Sequence, residues 1–136
     1  MLGCVAVAWL GACGAGDDAP LAASCTDRAA VEEALAAAPR PVALPGGTRL
    51  SECLRQAESA GDLQNLGTTL TAVAEGLERD PARAAQLGYL IGAARRGTHE
   101  TSGVAAELVR RLERTGAVSE DAAALLQGVR AGEESG

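Results

Sequence analysis

The chain predicts an all-α fold, a small compact bundle of about six short helices, on three observations. Apolar residues recur at helical spacing throughout the chain beyond residue 25. Residues that begin helices and residues that end them punctuate that pattern at short intervals. The hydrophobic content of 47% is carried by Ala, Leu and Val, with aromatics at 1% and no Phe. Such a core buries little area per residue, and at roughly 25 cal/mol per Å² it stabilises modestly, which is the situation in which small domains use a covalent staple.

The first helix is expected over Asp27–Ala38, DRAAVEEALAAA, begun by Thr26 and ended by Pro39. The stretch Pro39–Thr48, PRPVALPGGT, holds three prolines and two glycines and reads as an ordered loop. Thr48 is placed to cap a second helix, Arg49–Ala60, closed by Gly61. The third, Asp62–Arg79, carries Leu63, Leu66, Leu70, Val73 and Leu77 at alternating spacings of three and four. That seam fits one face packed on antiparallel neighbours, or a short coiled coil. Asp80-Pro81 starts a fourth helix to Arg96, with Ala84, Leu87, Leu90, Ile91 and Ala94 inward and Gly97 at its end. A fifth, Ser102–Thr115, places Val104, Leu108, Val109 and Leu112 inward. A sixth, Glu120–Arg130 capped by Ser119, places Ala122, Leu125, Leu126 and Val129 inward. Residues 131–136, AGEESG, are expected to be a disordered tail. No fixed period with matching residues supports a solenoid, so a compact bundle is the expected arrangement.

Ahead of this domain, residues Leu2–Ala12 form an eleven-residue run without charge, of signal-peptide length and well short of a membrane span. The first charged side chain is Asp17. Leu10-Gly11-Ala12-Cys13 resembles the lipobox of bacterial lipoproteins: a branched apolar residue, two small residues, then Cys. The resemblance covers these four residues and the run before them. It implies that Cys13 is diacylated and becomes the new N-terminus. The division that follows is a signal peptide over 1–12, a flexible tether over 13–24, a helical domain over 25–130 and the tail over 131–136. Two acyl chains, at about 0.8 kcal/mol per buried CH₂, hold a domain to a membrane stably without a spanning helix.

On that resemblance Cys4 is removed and Cys13 modified, which leaves Cys25 and Cys53 as an even pair in an oxidising compartment. A bridge between them ties the start of one helix to the middle of the next. The alternative is two separate buried thiols.

The remaining features point away from several classes of chemistry. The formal charge is −6, with 12 basic residues, all Arg, against 18 acidic ones. An acidic balance argues against nucleic acid, which calls for a basic face. No metal site is expected: there is no C-x-x-C, and in His99-Glu100 the place of the second His of H-E-x-x-H is taken by Gly103. No cofactor is expected, and no enzyme activity. The chain has no G-x-S-x-G, no Lys for a Schiff base, and Gly46-Gly47 lacks the Lys of a phosphate loop. Gly88 and Gly92 read as a close helix–helix contact, Tyr89 as a core residue with its hydroxyl at the edge, and Glu107 as a helical ion-pair partner of Arg110 and Arg111. The expected function is a binding or structural role for an exported protein, lipid-anchored through Cys13 on the extracytoplasmic face of the cell membrane, with a protein partner that the chain does not specify. The alternatives are a freely secreted helical domain, or a cytosolic interaction or oligomerisation module using the Leu63–Leu77 face.

Overall fold

The computed structural model describes residues 20–98 and 102–136. Among them the chain is all-α, with no strand: a 3-10 turn at Ala23–Thr26, then α1 (Arg28–Leu35), α2 (Leu50–Gln56), α3 (Ala60–Glu78), a 3-10 turn at Pro81–Arg83, α4 (Ala84–Gly97), α5 (Val104–Gly116) and α6 (Ala122–Ser135).

The starts of these helices are set by local hydrogen bonding, and several differ from the expected caps. Asp27, not Thr26, caps α1: its carboxylate accepts from Ala29 N at 3.0 Å and Ala30 N at 3.2 Å. The Thr26 hydroxyl is already committed to Ala23 O within the preceding turn. At the other end, Ala36, Ala37 and Ala38 tighten into bonds three residues back before Pro39, so α1 stops at Leu35. Thr48 does not cap α2; its carbonyl closes the Pro-rich loop by accepting from Leu44 N. Arg49 takes the cap position, and the Glu52 carboxylate reaches back to Arg49 N at 2.7 Å. Ser59 accepts from Asp62 N, so α3 begins at Ala60 and Gly61 lies in its first turn rather than ending α2. Asp80 accepts from Ala82 N ahead of Pro81, as a helix start requires. Asp121 rather than Ser119 caps α6, and Gly103, at φ 93°, supplies the left-handed turn from which α5 departs.

The architecture is organised around α4, which touches each of the other five helices. Ten of its fourteen residues are buried, so it is apolar or small on nearly every side, unlike a surface helix with one apolar stripe. Leu87, Tyr89, Leu90 and Ile91 meet Leu66, Leu70, Val73 and Leu77 of α3, Leu108 and Leu112 of α5, and Val31 and Leu35 of α1 in one continuous core. The loop between α1 and α2 belongs to that core as well, since Val42 and Leu44 are buried.

The contact between α4 and α6 is made by glycine. A Cβ at Gly88 would run into the carbonyl of Leu125, and one at Gly92 into that of Val129. The relation is reciprocal: a Cβ at Gly128 would strike the Ala85 carbonyl, and one at Gly132 the Tyr89 carbonyl. Two helices each carrying Gly at a spacing of four thus approach backbone to backbone, a packing also familiar from membrane helices. This register explains an error in the expected inward face of α6. Leu126 lies two residues, roughly 200° of helix turn, from Gly128, and is exposed; Ala122 is exposed too, and Leu125 is half-buried. Val104, expected inward, stands exposed at the open first turn of α5.

Residues 131–136 are not a disordered tail. Helix α6 runs to Ser135, and Gly136 is buried. Three neighbours hold this end. The Ser51 hydroxyl donates to Gly136 O at 2.6 Å, the Arg96 guanidinium donates to Glu133 O and Glu134 O, and the Tyr89 hydroxyl meets Ser135 Oγ at 3.0 Å. An arginine on the last carbonyls of a helix both satisfies them and opposes the negative end of the helix dipole.

Candidate functional site

The feature most informative for function lies where the chain enters the domain. The turn at Ala23–Thr26 presents Cys25 to Cys53 on α2, beside Leu50 and Leu54. The two are joined by a disulfide with a Cα–Cα distance of 5.7 Å, and both residues are fully buried. Two further bonds pin the same entry. Ala22 N donates to Gln56 Oε1, and the Thr69 hydroxyl on α3 donates to Thr26 O. Leu21 and Ala22 pack against the core. The end of the expected tether is therefore part of the folded domain, because Leu21 and Ala22 bury apolar surface and Cys25 is cross-linked. Cys13, together with Cys4 and Trp9, lies outside the described residues, as does His99.

The seam on α3 is spent within the domain. Leu66, Leu70, Val73 and Leu77 are buried, and Leu63 is half-buried at the start of the stripe. Tyr89 is entirely buried, hydroxyl included, rather than having that group at the edge. Val42 N donates to Tyr89 Oη at 3.0 Å. The Ser135 hydroxyl is engaged with Ala131 O at 2.8 Å, so Tyr89 donates to Ser135 Oγ. The result is a short relay joining the Pro-rich loop, the central helix and the end of α6, with each polar atom satisfied.

The charged residues form separate surface clusters, one joining α4, α5 and α6 and one along α5, besides the Arg28–Glu32 pair on α1. Arg95 on α4 binds Glu113 on α5 at 2.8 Å and Glu133 on α6 at 3.1 Å, tying three helices together. Partial burial works against its charge, but hydrogen bonding to Glu113 and Glu133 outweighs that and holds its pKa raised. Glu107 pairs with Arg110 and Arg114, each at 3.0 Å, and not with Arg111. Arg110 and Arg114 lie on the same side of Glu107 around the helix, while Arg111 lies on the other, so one carboxylate rotamer serves the first two. Hydrogen bonds from Arg114 and Arg110 lower the Glu107 pKa. No charged side chain is buried among the described residues.

An open groove of about 540 Å³ runs along the outer face of α6, with Leu126, Arg130 and Glu134 on the helix and Pro39 opposite. Sequence reasoning missed it because Leu126 was expected in the core; the signal that could have found it is the Gly128/Gly132 spacing, which sets the opposite face inward. Among the described residues no group of three or more His, Cys, Asp or Glu is arranged to hold a metal ion, and no helix is long and apolar enough to cross a membrane. No protein-family model matches this chain, and neither a curated protein nor a solved structure matches it.

Proposed function

We propose that this chain is a small lipid-anchored protein of the extracytoplasmic cell envelope, held by acylated Cys13, whose helical domain has a binding or structural role. The observation that carries this reading is the Cys25–Cys53 disulfide at the entry of the domain. Structural disulfides persist in exported proteins and are rare in reducing compartments. Here the bridge follows shortly after a lipobox-like Leu10-Gly11-Ala12-Cys13, and the two cysteines it consumes are those left over once Cys4 is removed and Cys13 modified. The burial of Leu66, Leu70, Val73 and Leu77 weighs against the alternative of an oligomerisation module built on that face, since these side chains already pack within the domain.

The test is the intact mass of the protein purified from its own host, before and after reduction and thiol alkylation. The expected mass begins at Cys13, carries acyl groups, and shows two alkylatable thiols only after reduction. A mass beginning beyond Cys13 without acyl groups would replace the anchor with free secretion. A mass beginning at Met1 with four free thiols would overturn export altogether.

A further inference from the structure

We draw no further inference here: the strongest candidate, the open groove on the outer face of α6 lined by Pro39, Leu126 and Arg130, carries nothing because nothing in the structure shows what covers it.

Discussion

Two residues concentrate the consequences of a core with almost no aromatic side chains. Tyr89 is buried with a hydroxyl that satisfies Val42 N–H, itself in a buried residue. Tyr89→Phe keeps the ring and orphans that donor, so a loss of about 1–3 kcal/mol is expected in chemical denaturation, set by the desolvated N–H rather than by lost packing. Cys53 holds the other position. The bridge to Cys25 spans 28 residues of sequence, and in the chain-entropy model closing such a loop stabilises by roughly 3–4 kcal/mol. Reduction, or Cys25→Ser with Cys53→Ser, should lower the urea midpoint correspondingly. A midpoint indifferent to reductant would show that the packing of α1 on α3 and α4 alone holds the entry segment. The pairing of these two cysteines was expected only because the lipobox resemblance sets Cys4 and Cys13 aside. The buried Tyr hydroxyl was not, because its partners Val42 and Ser135 are 47 and 46 residues away in sequence and neither carries a signal of its own.

At the scale of helices, the chain showed which segments are helical far better than which face each turns inward. The faces of α3 and α4 were readable because large residues mark them: Leu66, Leu70, Val73 and Leu77 on one, Leu87, Leu90 and Ile91 on the other. The face of α6 was read correctly at Val129, which is buried, but misread at Ala122 and Leu126, because the residues buried beside Val129 are the smallest available, Gly128 and Gly132, and apolar periodicity does not register a residue without a side chain. Glycine substitutions separate the two situations. Gly88→Ala and Gly132→Ala place a methyl on opposing backbone, and each should cost about 1–3 kcal/mol or more, with α6 first to lose amide protection in hydrogen exchange. Gly67→Ala meets only the Leu108 methyl groups at 3.8 and 3.9 Å, an ordinary contact, and should stabilise α3 by up to about 1 kcal/mol. Equal effects at the two kinds of site would contradict the close approach of α4 and α6. Within α5, the lowered Glu107 pKa gives a stabilisation present above the carboxylate's unfolded-state pKa and lost as pH falls through its folded value. Acid titration of Glu107→Gln should therefore show a shallower fall in stability than the parent chain. The difference is small, because the group is exposed and screened.

Among the described residues the molecule is a shell of five helices around α4, and the large apolar side chains exposed there, Val104, Val118 and Leu126, lie singly on α5, the α5–α6 connection and α6. Isolated apolar residues of this kind do not make a self-association surface. Light scattering of the helical domain at micromolar concentration should return a monomer; a concentration-dependent dimer would direct attention to the outer face of α6. The disulfide also sets how the molecule responds to load. A pull applied at the N-terminal end first loads Leu21 and Ala22, then reaches Cys25 and crosses to Cys53, so the 27 residues between them, α1 and the Pro-rich loop included, carry no tension while the bridge is intact. That length is mechanically hidden. Stretched between its two ends, the oxidised domain should extend roughly 90–100 Å less than the reduced one, at about 3.5 Å per residue. Such a chain yields from α2 onward and keeps its first helix slack.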